Sequence, residues 1–207
     1  MNFLAHLQLA EPHPASIFGA ILADFAKGVD VTQYPFAIQA AVARHRAIDR
    51  FTDHHPHRRQ FLPRFSTQRR RFAPVALDVY DDYLLIQHWQ HFYPSPADQG
   101  FAKLYCQLSA LLQQPPASMP ASMQRTVHAM VHYRWFEHYQ SRDGISQALD
   151  QIANRIRFAN QFSGIMQEID VLADELDQSF LDFYPALQAH VLQLGDELTA
   201  FIAHSSL

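Results

Sequence analysis

Apolar positions recur every three or four residues along most of this chain, and that period predicts an all-α protein. Runs that alternate apolar and polar residues are hard to find, and glycine is scarce, at 6 of 207 residues. Ser16 is a predicted N-cap, and Pro185 is a predicted break in the last helical region. The predicted helices cover residues 2–10, 16–27, 35–53, part of 58–71, 75–92, 98–113, 121–140, 145–162 and 167–204.

The composition fits one domain with a substantial core, because 48% of the 207 residues are apolar. Residues 1–207 are therefore predicted to form a single all-helical domain. The one cysteine, Cys106, excludes an internal disulfide and a cysteine-rich zinc site, and we expect it to be buried or half-buried. The N-terminus lacks the basic region of a signal peptide, and no apolar run approaches the roughly 20 residues that span a membrane. These features predict a cytoplasmic protein.

Four ionisable residues lie where the helical period predicts core. His45 and Asp49 are four positions apart and share the apolar face of one predicted helix. Asp78 and Asp82 likewise share the apolar face of the helix that begins near Val75. Because burying an unpaired carboxylate costs several kcal/mol, each of these side chains needs a partner.

Two further residues repeat this anomaly, since Asp24 shares a helix face with Ile17 and Ile21, and His6 lies in an apolar segment. A helix cap, a buried hydrogen bond or an ion pair with arginine would explain any one of these residues alone. For the whole set a divalent cation is the favoured partner, because converging helices can bring carboxylates and imidazoles around one ion. The candidate metal ligands are His6, Asp24, His45, Asp49, Asp78 and Asp82.

Charge is distributed unevenly along the chain. Nine of the 14 arginines lie between Arg44 and Arg71, and eight acidic residues but no lysine or arginine follow Arg157. The basic segment is either a solvated face or a landing surface for an acidic partner. The net charge of −4 and the lack of a nucleic-acid-binding motif argue against nucleic acid. There is also no P-loop, dinucleotide fingerprint, nucleophile-elbow serine or His-Glu-x-x-His pair.

The polar residues of the first 90 positions lie in blocks that, in this order, resemble the acyl carrier protein phosphodiesterase family. Each block alone is weak evidence, whereas the ordered set is specific, and the helical remainder is compatible with the family. The blocks are Met1-Asn2-Phe3-Leu4-Ala5-His6-Leu7, Leu22-Ala23-Asp24-Phe25 with Lys27-Gly28, His45-Arg46-Ala47-Ile48-Asp49 with Thr52-Asp53, Ala73-Pro74 with Leu77-Asp78 and Asp82, and His88-Trp89.

The resemblance implies a hydrolase that removes 4′-phosphopantetheine from holo-acyl carrier protein. It also implies a helical bundle similar to the HD-domain metallophosphohydrolases and a preference for Mn²⁺, with Mg²⁺ as another possible ion. The hypothesis is that Asp24, His45, Asp49 and Asp82 hold the metal, with His6 and Asp78 as further ligands or outer groups. In this scheme Lys27 and Arg46 stabilise charge on the phosphoryl oxygens, and His88 protonates the leaving group.

The basic segment then gains a role, because acyl carrier proteins are strongly acidic. The residues expected to dock the carrier are Arg58, Arg59, Arg64, Arg69, Arg70 and Arg71. Three alternatives remain open. A helical metallophosphohydrolase that cleaves a nucleotide or another small phosphoester would not need this surface. A metal-binding or adaptor protein would bind its acidic partner without turnover. A structural domain with buried Asp–Arg pairs would bind no metal.

Overall fold

Helices form nearly all the regular structure in residues 1–156 and 161–196, which are the residues that the computed structural model describes. No strand occurs in these two ranges, so the predicted all-α fold is confirmed. An HD-like arrangement of the helices stays a prediction. The α-helices of the described residues are α1 (Phe3–Leu9), α2 (Pro14–Phe25), α3 (Phe36–His54), α4 (Pro56–Arg59), α5 (Ala73–Gln87), α6 (Trp89–Phe92), α7 (Ala97–Gln113), α8 (Ala121–His132), α9 (Trp135–His138), α10 (Arg142–Arg155) and α11 (Met166–Gln193).

Three short 3₁₀ turns, Val31–Gln33, Leu62–Arg64 and Arg70–Phe72, lie in the connections between these helices. Two of them fall in the basic segment, which is therefore less regular than a continuous helix. Within the described ranges, none of the helices combines the length and the apolar character that crossing a membrane requires.

The start of α2 lies two residues before the predicted position. His13 is extended, and its Nδ1 accepts a hydrogen bond from the Ser16 amide at 3.2 Å. Pro14 takes the first helical position, where a missing amide hydrogen has no cost. The Ser16 hydroxyl instead accepts a hydrogen bond from the Glu11 amide at 2.9 Å. A ring nitrogen thus takes the capping role that the sequence assigned to a serine.

Two helices, α5 and α6, replace the single helix predicted over residues 75–92. The backbone leaves the helical region at His88, with φ −100° and ψ 17°. Trp89 then enters the core, with its ring centroid 5.5 Å from that of Phe101 and its indole N–H donating to the Ser95 carbonyl at 2.8 Å. Gly100 permits this packing, because a Cβ at that position would overlap the Trp89 ring.

Two predicted core positions lie at the surface. Val75, in the first turn of α5, is 45% exposed, and the helix buries Tyr80 and Asp81 instead. Cys106 is exposed as well, because α7 turns the face that carries Leu104 and Leu108 toward the core. The predicted apolar stripe of α5 is therefore rotated relative to the observed buried face.

The second half of the chain also differs from the sequence prediction in its breaks. Residues 121–140 divide into α8 and α9 because Arg134 adopts a left-handed conformation with φ 49°. Pro185 lies inside α11 and does not end it. The ends of the helices predicted over 145–162 and 167–204 fall partly outside the described residues.

The packing of α2 against α3 is unusually close at Gly19. A Cβ on Gly19 would lie 2.8 Å from the Ile38 carbonyl oxygen and would also overlap the Ala41 side chain. Only glycine therefore fits at this contact. The approach brings the backbone of α2 within hydrogen-bonding distance of side chains on α3.

Candidate metal centre

Two imidazoles and one carboxylate converge where α1 meets α3. His6 Nε2 lies 3.0 Å from Asp49 Oδ1, and His45 Nε2 lies 3.1 Å from Asp49 Oδ2. The two imidazole rings stack with their centroids 3.7 Å apart. One ligand atom from each residue lies within 4.8 Å of the others, a spacing that a single metal ion could bridge. We call His6, His45 and Asp49 the donor cluster.

The position of the His45 proton follows from the packing of α2 on α3. His45 Nδ1 lies 2.8 Å from the Ala20 carbonyl oxygen, which can only accept, so Nδ1 carries the proton. In neutral His45 the lone pair therefore resides on Nε2, which faces Asp49. An imidazole held in this way by a backbone carbonyl is the usual arrangement of a metal-ligating histidine. The donor cluster therefore fits a divalent cation.

The electrostatics of the donor cluster keep its ligand atoms in metal-binding form. Burial, together with the neighbouring His45, lowers the pKa of His6 to about 4, so the His6 ring is neutral near pH 7. Partial burial acts to raise the pKa of Asp49, but the contacts of its carboxylate with His45 and His6 outweigh burial and hold the pKa well below its usual range. Asp49 is 39% exposed, which leaves a solvent path to the carboxylate. A neutral imidazole and an ionised carboxylate are the states that bind metal.

Asp82, a predicted metal ligand, lies under the N-terminus of α1. Its Oδ2 accepts from the Leu4 amide at 3.0 Å and its Oδ1 from the Ala5 amide at 3.1 Å. Amides in the first turn have no partner within the helix, so Asp82 satisfies two groups that would otherwise be buried unpaired. Burial raises the pKa of Asp82 to about 7, against the lowering effect of the two amides. Through α1, this contact fixes the position of His6.

Asp24 and Asp78 flank the donor cluster from two other helices. Asp24 Oδ1, on α2, lies 3.7 Å from His45 Nε2. Although 42% of the Asp24 side chain is exposed, desolvation raises its pKa to about 6. Asp78, on α5, is 32% exposed, and its Oδ1 accepts from Arg58 at 2.6 Å and from the Met1 α-amine at 2.8 Å. The structure thus places Asp24 close to a cluster imidazole, whereas both oxygens of Asp82 bond to the amides of α1.

Lys27, Arg46 and His88 occupy different surroundings. Lys27 is exposed just beyond the end of α2, three residues after Asp24, and Arg46 is exposed on α3 directly after His45. His88, at the end of α5, is half-buried, and its Nε2 lies 2.7 Å from Asp177 Oδ1 on α11. Arg46 therefore lies next in sequence to a member of the donor cluster and Lys27 lies three residues from Asp24, whereas the partner of His88 is a carboxylate on another helix.

The part of the basic segment that is expected to dock the carrier, residues 58–71, is held largely by contacts within the protein. Arg64 forms a two-bond ion pair with Glu175 at 2.6 and 2.7 Å, and Arg69 contacts Glu168 at 3.1 Å. Of the other predicted docking residues, Arg70 donates to backbone carbonyls, Arg71 lies over the Phe72 ring and Arg59 is exposed. Two acidic residues of α11 thus already pair with arginines that the sequence assigned to an acidic partner.

Arg58 departs from its predicted docking role, because its side chain is only 1% exposed and cannot meet a partner at the surface. Its Nη2 donates to Asp78 Oδ1 at 2.6 Å and to Asp81 Oδ2 at 2.9 Å. Asp81 Oδ1 in turn lies 3.1 Å from His57 Nε2, and His57 Nδ1 lies 2.9 Å from the Ser179 hydroxyl. We call His57, Arg58, Asp78, Asp81 and Ser179 the arginine network.

The arginine network is hard to predict from the sequence. His57 lies in a histidine-rich stretch that suggests a surface loop, and Asp81 lies off the predicted apolar stripe of α5. The usable signal was the adjacent Asp81 and Asp82 inside a helix that is mostly apolar. Two neighbouring positions on a helix point in directions about 100° apart, so both can be buried only where the helix is covered on two sides.

Comparison with known proteins identifies a family. The family model described as acyl carrier protein phosphodiesterase matches residues 1–187. A protein of that name from Salmonella dublin is 34% identical over 190 residues, which cover 91% of this chain and 96% of the relative. Proteins of the same name from Salmonella newport and Salmonella heidelberg are 34% identical over 192 residues, with the same coverage. No solved structure matches the chain.

Proposed function

The chain belongs to the acyl carrier protein phosphodiesterase family, and from that membership we propose that it hydrolyses holo-acyl carrier protein to the apo form. The bond cleaved is the phosphodiester link between the carrier serine and 4′-phosphopantetheine. The observation that carries this proposal is the donor cluster, because two imidazoles and an ionised carboxylate suit a metal-assisted hydrolase. The cytoplasmic location predicted from the sequence goes with this proposal.

We propose Mn²⁺, or Mg²⁺ in its place, as the ion, with His6, His45 and Asp49 as its ligands and Asp24 at its edge. Such an ion supplies an activated water and withdraws electron density from a phosphoryl oxygen. The Ala20 carbonyl holds the Nδ1 proton of His45 and so keeps Nε2 free to bind. We assign Asp82 to the support of α1, because both of its oxygens already accept amide hydrogens.

The remaining roles belong to exposed cations and to His88. In this proposal Lys27 and Arg46 lie beside the donors and oppose the charge on the phosphoryl oxygens. His88 supplies the proton for the departing serine oxygen, after exchanging its contact with Asp177 for one with the substrate. His88→Gln should therefore lower kcat more than it raises KM, and equal effects on both would remove His88 from this role.

Docking of the carrier is assigned to the exposed part of the basic segment. Arg59 is available at the surface, whereas Arg64 and Arg69 must first leave Glu175 and Glu168. Ion pairs at the surface are weak and exchange readily, so an acidic carrier can replace the glutamates. Electrostatic docking of this kind chiefly accelerates encounter and is sensitive to salt.

Intact-mass spectrometry tests the proposed reaction directly. Holo-acyl carrier protein is incubated with the protein in Mn²⁺ and, separately, in excess chelator. Loss of the phosphopantetheine mass in Mn²⁺ alone is the expected result, and an Asp49→Asn sample serves as the matched inactive control. If wild type binds Mn²⁺ but leaves the carrier intact, the proposal fails. Bis(p-nitrophenyl) phosphate then distinguishes a hydrolase of small phosphodiesters, which cleaves it, from a binder without turnover.

A further inference from the structure

The buried position of Arg58 calls for an explanation beyond ordinary stability. An arginine at 1% exposure with carboxylate partners is costly to bury, and an apolar side chain of similar volume commonly stabilises a core as well or better. Asp81 alone would balance the charge of Arg58, since the two lie 2.9 Å apart and neither reaches solvent. The same Nη2 nevertheless also donates to Asp78, which is partly exposed beside the donor cluster.

The part of the arginine network that lies away from the donor cluster holds Arg58 in place. Gln60 Nε2 donates to the Ser179 hydroxyl at 3.1 Å, so the hydroxyl proton is free to go to His57 Nδ1. That assignment leaves the other proton on His57 Nε2, where it is donated to Asp81. The hydrogen bonds therefore run in one direction from α11 to Asp81. His57 is also fixed by stacking on Phe183, with ring centroids 4.6 Å apart.

The near side of the network reaches the donor cluster through Asp78. Arg58 and the Met1 α-amine both bond to Asp78 Oδ1, and no group in the described residues donates to Oδ2. The Met1 α-amine also lies 3.7 Å from Asp49 Oδ1, so Asp78 and Asp49 share a neighbour. The negative charge of Asp78 is among the causes that raise the pKa of Asp24, although desolvation is the largest. Asp78 is thus held by one oxygen in the electrostatic surroundings of the donors.

We infer that Arg58 is a positioning residue, which clamps Oδ1 of Asp78 so that the carboxylate stays beside the donor cluster. Asp81 and His57 hold the guanidinium in turn, so α11 sets the orientation of a carboxylate on α5. This inference rests on the proposed function, because it assigns the clamp to a metal-dependent site. It turns Arg58 from a predicted surface contact into a support for Asp78.

A double-mutant cycle in Mn²⁺ affinity tests the inference without any carrier protein. The dissociation constant is measured by electron paramagnetic resonance on the metal-free proteins Arg58→Lys, Asp78→Asn and the double variant. Lysine keeps the buried charge but cannot hold two carboxylates through one planar group. Each single change should weaken Mn²⁺ binding about 10-fold, the range typical of groups that orient a metal site. The double variant should be no weaker than Asp78→Asn, because Arg58 acts through Asp78.

Arg142→Lys is the matched control, since Arg142 forms an ion pair with Asp170 at the protein surface. It should bind Mn²⁺ as wild type does. Thermal unfolding of each metal-free protein separates loss of the fold from loss of the site. If Arg58→Lys does not fold, His57→Gln replaces it in the cycle, because glutamine still offers an N–H to Asp81 while removing the link to Ser179. The expected effect is then about 3-fold, at the low end for such supporting groups.

Additive effects in the double variant would overturn the inference, and so would wild-type Mn²⁺ affinity in a folded Arg58→Lys or His57→Gln protein. A wild-type protein that binds no Mn²⁺ would overturn it as well. Failure of hydrolysis alone would contradict only the proposed substrate, because the double-mutant cycle measures metal binding and not turnover. The two proposals can therefore fail separately.

Discussion

The donor cluster and the arginine network both join histidine to buried or half-buried aspartate, yet they differ in what balances the charge. In the arginine network, Asp81 pairs with a guanidinium and a ring N–H, and neither oxygen lacks a partner. In the donor cluster, two imidazoles contact one carboxylate. The Met1 α-amine lies 3.7 Å from Asp49, and no lysine or arginine of the described chain forms an ion pair with it. The His45 nitrogen that faces this carboxylate bears a lone pair in the neutral ring.

The two sites show how a buried His–Asp contact can be interpreted. A contact whose donors and acceptors all match is complete in itself and serves the fold. A contact that sets a lone pair against a carboxylate is incomplete until a cation arrives. The first arrangement predicts loss of stability on substitution, and the second predicts loss of function.

The largest expected effect is on turnover, from Asp49→Asn in the donor cluster. Removing the charge that both imidazoles share should lower kcat/KM by at least about 100-fold and abolish tight Mn²⁺ binding. Steady-state kinetics and Mn²⁺ titration measure both. Stability of the metal-free protein should stay within about 1 kcal/mol of wild type, because Asp49 is partly exposed. Full activity in this variant would remove Asp49 from the site.

A large loss of stability is expected from Asp81→Asn in the arginine network. This substitution leaves Arg58 without its one fully buried countercharge, a defect that typically costs about 3–5 kcal/mol. Urea unfolding of the metal-free protein measures the free-energy change, with Asp177→Asn as a control at a more exposed carboxylate. If the urea midpoint of Asp81→Asn equals that of wild type, the arginine network does not stabilise the fold.

A smaller but sharper contrast is expected between Asp82→Ala and Asp24→Ala. Asp82→Ala leaves two amides of α1 without an acceptor and should lower the free energy of unfolding by about 1–3 kcal/mol. It should weaken activity only through His6. Asp24→Ala should leave stability unchanged and lower turnover, because Asp24 lies at the edge of the donors. Urea unfolding and steady-state kinetics on both variants distinguish a structural role from a functional one. An Asp82→Ala protein of normal stability that binds no Mn²⁺ would restore Asp82 as a metal ligand.

The smallest effect concerns docking on the basic segment. KM for the carrier should rise several-fold as salt is raised from about 50 to 300 mM, because the Debye length shortens. Arg59→Gln should raise KM more than Arg64→Gln, since Glu175 already neutralises Arg64. Both variants should keep the kcat of wild type. A KM that ignores salt, or equal effects of the two changes, would contradict the proposed docking surface.

The sequence predicted the fold class and much of the site because both depend on local periodicity. His45 and Asp49 are four residues apart on one helix, so their shared face follows from helix geometry. The functions of Asp78, Asp81 and Asp82 could not be separated in the same way. Which of these carboxylates meets arginine, which meets amides and which stays partly exposed depends on contacts with α1 and α4, 20 to 80 positions away.

Helix breaks were the other limit of the sequence prediction. Pro185 lies inside α11, whereas the break after Gln87 occurs where no proline or glycine marks it. Burial of Trp89 against Phe101 favours that break, and such tertiary packing is not visible in local propensity. Ser16 is not the helix cap because the helix starts two residues earlier, where His13 takes the capping role by accepting from the Ser16 amide.

Because Gly19 has no side chain, it determines which nitrogen of His45, twenty-six positions further along the chain, carries the proton. A methyl group there would push α2 away from α3 and carry the Ala20 carbonyl away from His45. The ring would then be free to move its hydrogen to the other nitrogen, and the lone pair would turn from the site toward the helix. The close packing at Gly19 thus sets the tautomer of His45.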